Sequence, residues 1–189
     1  MAKQEYKSAV RSKIFIKHAL MNLVVKKDFE KITVTEVIDT SGISRGTFYS
    51  HYKSLDDVIN QIIDDEYNRL VRIIGEHCEI YSNPDCIFAL ISNVFKYLEE
   101  DRDYYTGIIS FNPVYNGVMN RISNKYRNDA YALLRDNCRI SSDEEANYVL
   151  VFAVGGVKNE ILKWANENTK LNAEIVVNTL LPIFKYYNA

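Results

Sequence analysis

The residues best suited to chemistry lie between positions 33 and 53 and carry hydroxyl, cationic or ring groups, with one glycine among them. They are Thr33, Thr35, Ser44, Arg45, Gly46, Thr47, Tyr49, His51 and Lys53. Arginine can hold the N7 and O6 edge of guanine through two hydrogen bonds, and threonine can contact a thymine methyl group or a polar base edge. Hydroxyl and cationic side chains also bind phosphate oxygens. This set therefore predicts a nucleic-acid surface in which Arg45 and Thr47 read bases and Thr33, Thr35, Tyr49, His51 and Lys53 hold phosphates.

Two short helices joined by a tight turn would position these side chains. The first helix is predicted at about 35–40, and Gly42 supplies the positive φ of the turn. Ser44 is a natural N-cap for the second helix, at about 45–52. Gly46 would let this helix approach DNA closely, because any side chain there would stand between the backbone and the DNA. The pattern indicates a helix-turn-helix, whose second helix enters a DNA major groove.

This stretch resembles the DNA-binding domain of TetR/AcrR-type regulators over about residues 10–70. The matching segments are Thr33-Val34-Thr35, Gly42 to Tyr49, His51-Tyr52-Lys53 and Asp56-Asp57. Ile38 and Ser41 depart from the pattern, since the family usually has alanine at both positions, and they imply slightly different packing between the two helices. The resemblance implies an all-α homodimer that binds a near-palindromic operator DNA.

Composition and charge agree with a helical protein that touches a polyanion at one end. Of 189 residues 47% are hydrophobic, and only 7 Gly and 3 Pro occur, which disfavours architectures rich in tight turns. Residues 1–53 hold ten Lys/Arg and five Asp/Glu, a net charge of +5, whereas the remainder carries −7. A basic head joined to an acidic body is typical of a protein that binds DNA through its head. On the first helix, predicted at about 6–25, the candidates for phosphate contacts are Lys7, Arg11, Lys13 and Lys17. The alternative is that these side chains form an ordinary solvated helix face.

About nine helices are predicted in all. Residues 1–53 are predicted to form the helix-turn-helix domain, and the resemblance implies that residues 54–189 form a helical domain for effector binding and dimerisation. Ser54 would cap a fourth helix of about 24 residues, roughly 36 Å long. Asn83-Pro84 starts a fifth helix, and Asn112-Pro113 interrupts the chain before a seventh. Ser141-Ser142-Asp143 with Glu145 indicates a capped start for the eighth helix.

Aromatic residues of the predicted body are candidates for an effector pocket, since tyrosine combines a ring with a hydroxyl that can orient a ligand. The candidates are Tyr67, Phe95, Tyr104, Tyr105, Phe111, Tyr126 and Trp164. The same residues are also what an ordinary hydrophobic core would contain.

The last two predicted helices are the most apolar part of the chain, and the resemblance implies that they form a four-helix bundle with the same pair of a second subunit. The candidate interface residues are Phe152, Gly155, Gly156, Leu180, Leu181 and Phe184. The alternative is a core within one chain. Pro182 should kink or end the ninth helix, predicted at about 172–187.

No enzyme motif of the GxSxG, P-loop or HExxH type occurs, and no cofactor is predicted. His77, Cys78 and Cys86 lack an evident fourth ligand, so no metal site is predicted. The odd number of cysteines is typical of reduced thiols in a cytosol. Neither a signal peptide nor an apolar run long enough for a membrane span is present, so a cytoplasmic protein is expected.

The helix-turn-helix pattern predicts a DNA-binding protein, and the resemblance implies a dimeric bacterial transcriptional regulator. The form that the resemblance implies is a repressor that a small-molecule effector releases from its operator. The alternative is a ligand-independent regulator of the co-activator type, which binds DNA or a protein partner and has a fully packed body.

Overall fold

The computed structural model describes residues 2–75, 84–137, 140–167, 169–176 and 178–179, and the regular structure in these ranges is entirely helical. A single-turn 3-10 helix covers Phe29–Lys31. The α-helices are α1 (Ala2–Val24), α2 (Val34–Ser41), α3 (Arg45–His51), α4 (Leu55–Gly75), α5 (Pro84–Glu99), α6 (Arg102–Ser110), α7 (Asn112–Asn137) and α8 (Asp143–Glu167). The predicted all-α class is confirmed.

Local sequence signals set several helix starts as predicted. The Ser54 hydroxyl accepts the Asp57 backbone N–H at 3.2 Å at the start of α4, and the Ser142 hydroxyl accepts that of Glu145 at 3.1 Å at the start of α8. The Asn112-Pro113 break falls at the beginning of α7. Proline is tolerated in the first turn because its missing N–H has no partner there in any case.

One compact unit contains residues 1–66 and 102–118, so α6 belongs to the same unit as the first three helices. Ile16, Leu20 and Met21 of α1 are fully buried in it. Helix α6 approaches α1 closely at Gly107, where a Cβ atom would lie 2.6 Å from the Met21 carbonyl oxygen. No local sequence pattern predicts this contact, because Gly107 and Met21 lie on different helices far apart in the chain. The functional boundary at residue 53 stays a prediction.

The second compact unit contains residues 67–101 and 119–189. Phe95 and Trp164 are buried in it, and the Trp164 indole N–H donates to Glu99 Oε1 at 2.7 Å. The same carboxylate oxygen accepts the Leu171 backbone N–H at 3.3 Å. Glu99 therefore ties the end of α5 both to α8 and to the segment that follows α8.

The predicted ninth helix is described only in part. Residues 173–176 and 178–179 are helical, whereas Leu180, Leu181, Pro182 and Phe184 lie outside the described residues, as do His77, Cys78 and Cys138. Within the described part of the chain, no helix has both the length and the hydropathy needed to cross a membrane.

Candidate nucleic-acid interface

Helix α2 begins in a capping box formed by Thr33 and Glu36. The Thr33 hydroxyl accepts the Glu36 backbone N–H at 3.2 Å, and Glu36 Oε2 accepts the Thr33 backbone N–H at 2.9 Å. Lys27 Nζ lies 2.5 Å from Glu36 Oε1. Its hydrogen bond, followed by those from Thr33, lowers the pKa of Glu36 from 4.5 to about 2. Two orphan N–H groups are thus satisfied at the entry to the helix-turn-helix.

The turn between α2 and α3 depends on Gly42, as predicted. Its φ of 68° lies in the left-handed region, and its N–H donates to the Ile38 carbonyl at 3.0 Å. The Ser41 hydroxyl donates to the same carbonyl at 3.0 Å. A residue with a Cβ atom would be strained in this conformation, so glycine allows the abrupt end of α2.

Ser44 caps α3, again as predicted. Its hydroxyl oxygen accepts the Thr47 backbone N–H at 3.0 Å and lies 2.8 Å from the Thr47 hydroxyl. Phe48 is fully buried and fastens α3 to the core. Tyr52 follows as the C-cap residue, its N–H bonded to the Phe48 carbonyl. The helix is therefore held at both ends and on its inner face.

The outer face of α3 remains open to solvent. Arg45, Gly46 and Tyr49 are exposed, and Thr47 and His51 are half-buried. Among the described residues, a Cβ atom on Gly46 would meet only the Ser44 hydroxyl, at an ordinary 3.8 Å. Packing in this part of the chain therefore does not require glycine here, and a close approach of Gly46 to DNA stays a prediction. Thr35 and Lys53 are also exposed, as is Thr33, whose hydroxyl takes part in the capping box.

A short stack of side chains on α3 was missed by the sequence analysis. The Arg45 guanidinium carbon lies 5.5 Å from the centroid of the Tyr49 ring. The Tyr49 ring meets the buried Phe48 ring edge-on, with centroids 5.4 Å apart and planes at 82°. The spacing of four residues between Arg45 and Tyr49 was the available signal, since such residues are neighbours on one helix face.

Polar side chains of α1 and α4 are in contact behind the helix-turn-helix. Lys17 Nζ forms an ion pair with Asp65 Oδ2 at 2.7 Å. Its charge is therefore paired with a carboxylate of the same chain. Gln61 Nε2 donates to the other Asp65 oxygen at 2.9 Å. Burial, followed by the charge of Asp65, raises the pKa of Tyr52 to about 12. Lys13 Nζ lies over the Tyr52 ring, 5.9 Å from its centroid.

The predicted effector-pocket residues divide between the two compact units. In the first unit, Tyr104 donates to Glu66 Oε1 at 3.4 Å and stacks on His18 at 4.5 Å between centroids. Burial, with the neighbouring Glu66 carboxyl, raises the pKa of the Tyr104 hydroxyl far above its ordinary value. Tyr105 is buried edge-on against Tyr104. Both tyrosines are buried in this unit, and their role in ligand binding stays a prediction.

The other pocket candidates show a similar pattern. In the first unit, the Phe111 ring packs against the Phe29 ring with the two centroids 5.2 Å apart. In the second unit, Phe95 and Trp164 are buried. The Arg121 guanidinium carbon lies 5.9 Å from the centroid of the Tyr67 ring. The Tyr126 hydroxyl oxygen lies 3.5 Å from the Val71 carbonyl oxygen. Their role in ligand binding stays a prediction. Nowhere in the described residues do His, Cys, Asp and Glu form a cluster that could hold a metal ion.

No protein-family model matches the chain. A curated relative, the HTH-type dhaKLM operon transcriptional activator DhaS of Lactococcus lactis, is 24% identical over 102 residues, or 54% of this chain and 50% of DhaS. The match thus spans about half the length of that relative. A solved TetR transcriptional regulator from Streptococcus agalactiae has a TM-score of 0.63 at 22% identity and covers 97% of this chain and 99% of its own.

A second solved structure is the fatty acid degradation regulator FadR from Bacillus halodurans. Its TM-score is 0.67 at 15% identity, over 92% of this chain and 94% of its own. Both solved neighbours are named as regulators. The chain has the TetR-regulator fold, as the resemblance to that family implied.

Proposed function

We propose that this protein is a homodimeric transcriptional regulator that places α3 in the major groove of an operator DNA. The observation that carries the proposal is the arrangement of α3. Its cap at Ser44 and its buried Phe48 hold the helix, while Arg45, Gly46 and Tyr49 face solvent on the other side. A fixed helix with an open, cationic outer face is the arrangement that reads base edges from a major groove.

Within this interface the side chains divide into two roles. Arg45 and Thr47, in the first turn of α3, read base edges, because N-terminal residues of a recognition helix reach deepest into the groove. Gly46 permits the close approach. The residues around them hold phosphates and set the register on the duplex, with no direct dependence on sequence. These are Thr33, Thr35, Tyr49, His51 and Lys53.

The dimer is proposed to form through α8. Tyr148, Val151 and Phe152 are 68%, 63% and 66% exposed in the single chain, and their spacing, with Gly155 one turn further, places them on one helix face. A contiguous exposed apolar surface on a folded chain is typical of an interface. Among the described residues, a Cβ atom on Gly155 or Gly156 would meet nothing within 4 Å, which is compatible with the close approach of a helix from a second copy. Two joined chains would read half-sites about 34–36 Å apart or a multiple.

Replacing one exposed apolar residue of this face tests the dimer. We expect Phe152→Glu to give a monomer in sedimentation-velocity runs at micromolar protein, because a carboxylate would be buried without a partner. Val25 is also exposed, at 50%, but lies outside α8, directly after the end of α1. Val25→Glu should therefore remain a dimer. A wild-type monomer, or equal dissociation by both variants, would contradict the interface.

We propose that the protein represses transcription and that binding of a small molecule relieves this repression. A ligand that binds better to a conformation in which the two DNA-binding heads are wrongly spaced would release the DNA by population shift. Two observations favour the second candidate, a ligand-independent co-activator type. The relative DhaS of Lactococcus lactis carries the name of a transcriptional activator. Several of the predicted pocket aromatics, among them Phe95, Tyr104 and Trp164, are buried, as a fully packed body would require.

The experiment that tests DNA recognition is selection of bound duplexes from a random-sequence pool by the full chain at near-physiological salt. We expect an inverted repeat to be enriched. Enrichment no greater than non-specific binding produces would refute the proposal. Placing the recovered sequence in a promoter that drives a reporter, with and without the protein, then distinguishes a repressor from an activator.

A further inference from the structure

We propose that Tyr49 is a positioning residue for Arg45, and that its ring sets how sharply the protein discriminates between DNA sequences. The inference rests on the proposed DNA-binding function and deepens it. Contact of Tyr49 with a phosphate needs only its hydroxyl group. The structure gives the ring a second use, which is to hold the guanidinium group that reads a base pair.

The geometry of the stack carries this inference. The Arg45 guanidinium carbon lies 5.5 Å from the Tyr49 ring centroid, within the roughly 6 Å over which a cation is attracted to an aromatic face. The ring in turn rests edge-on against Phe48, with centroids 5.4 Å apart, and Phe48 is fully buried. The support therefore runs from the protein core to the guanidinium through two rings.

The contact with the Tyr49 ring is the main restraint on the Arg45 side chain among the residues that the structure describes. Among the residues that the structure describes, no carboxylate pairs with Arg45, and the side chain is exposed. A free arginine side chain loses much rotamer entropy when it forms two hydrogen bonds in a fixed plane. A guanidinium group that is already held against a ring loses less rotamer entropy when it binds. A larger part of the hydrogen-bond energy is then available to discriminate between the correct base pair and others.

The alternative role for Tyr49 is a phosphate contact alone, and the ring and the hydroxyl can be separated by substitution. Tyr49→Phe retains the ring and removes the hydroxyl. Tyr49→Leu removes both, with a side chain that still covers part of Phe48. Because Tyr49 is 47% exposed, both variants should fold, and their thermal unfolding is measured as a check.

The test uses the full chain and the duplex recovered by selection from the random pool. Competition binding at fixed salt gives the affinity for this duplex and for each single-base-pair variant of it. The pair read by Arg45 is identified first, as the position at which Arg45→Ala abolishes discrimination. The discrimination of each Tyr49 variant is then compared with that of wild type, at this base pair and at all other base pairs. The same measurement is made for Tyr49→Leu combined with Arg45→Ala.

We expect Tyr49→Leu to reduce discrimination at the Arg45 pair by about two- to fivefold, with the other pairs unchanged. Tyr49→Phe should bind all duplexes more weakly to the same extent and keep the wild-type discrimination at that pair. In the Arg45→Ala background, Tyr49→Leu should have no further effect there. Such non-additivity is the sign that the two side chains act together.

Two results would overturn the inference while leaving the proposed function intact. One is equal discrimination by Tyr49→Leu and Tyr49→Phe at the Arg45 pair. The other is an enriched sequence whose base preferences do not change at any position in Arg45→Ala. Failure of the wild-type protein to enrich any sequence would instead refute the proposed function, and this inference with it.

Discussion

Gly107→Ala should destabilise the protein, although alanine is the better helix former. Gly107 lies in α6, and a Cβ atom there would be 2.6 Å from the Met21 carbonyl oxygen and 2.7 Å from the Met21 Cβ atom. Met21 lies in the last turns of α1, so its backbone carbonyl cannot move aside as the end of a side chain would. Ordinary contact begins near 3.4 Å, and α6 would have to move away from α1 by roughly 0.8 Å.

Two opposing energies decide the size of the effect. Replacing glycine by alanine in a helix stabilises it by about 1 kcal/mol. Forcing an extra methyl group into a packed contact costs about 1–3 kcal/mol, and the rigid backbone places this site near the upper end. We therefore expect a net loss of about 1–2 kcal/mol in the free energy of unfolding. For a chain of this size that lowers the Tm by about 3–6 °C.

Urea unfolding followed by circular dichroism, at one fixed protein concentration, measures the loss. Gly117→Ala is the matched control, since a Cβ atom there would lie 2.7 Å from Ile63 Cδ1, the free end of a flexible side chain. That variant should stay within about 0.5 kcal/mol of wild type, because displacing the Ile63 side chain costs about 0.5–1.5 kcal/mol and so offsets most of the gain of about 1 kcal/mol in helix propensity. Wild-type or greater stability in Gly107→Ala would refute the close approach of α6 to α1.

Three further changes act at the caps and the polar contacts. Ser44→Ala removes the acceptor for the Thr47 N–H and should lower the free energy of unfolding by about 1 kcal/mol in urea titrations. The pKa of Glu36 is lowered to about 2 from 4.5, so its carboxylate stabilises the fold above pH 4.5, and this contribution is lost as the pH falls toward 2. Glu36→Gln should therefore flatten the acid limb of the pH–stability curve. Glu99→Ala removes the carboxylate that accepts the Trp164 N–H and should cost about 1–3 kcal/mol, with a shifted emission maximum of the single tryptophan.

Each of these changes has a control. Ser44→Thr retains a capping hydroxyl and should stay close to wild type, and equal losses for alanine and threonine would contradict the cap. Lys27→Met removes the main cause of the lowered Glu36 pKa, so an unchanged Glu36 titration by NMR in that variant would contradict the assignment. Glu99→Gln keeps an oxygen acceptor, and it should preserve the tryptophan emission that Glu99→Ala changes.

Much of the helix-turn-helix could be predicted from sequence because its signals are local. Thr33 is bonded to a group three residues away, Gly42 to one four residues away, and Ser44 to one three residues away. Caps and left-handed turns depend on the backbone of the same few residues, so residue type and spacing are sufficient to find them. The outward direction of Arg45 and Tyr49 follows from the same helical spacing.

The tertiary structure decided the contacts between distant parts of the chain. Lys17 and Asp65 are 48 residues apart, and Trp164 and Glu99 are 65 residues apart. In the sequence alone, Lys17 is a candidate for phosphate binding and Trp164 for a pocket. Which of many charged or aromatic partners each one meets depends on how whole helices pack, and no local spacing encodes that.

Sequence alone therefore determined the helical class, the caps and the solvent-facing residues of α3, since all of these follow from interactions within about one helical turn. The tertiary structure decided that α6 packs on α1 at Gly107, that Tyr104 lies in the core beside Glu66, and that Phe152 is left exposed on α8. These outcomes depend on which apolar faces are covered by other helices. Burial is a property of the folded chain as a whole and not of the residue.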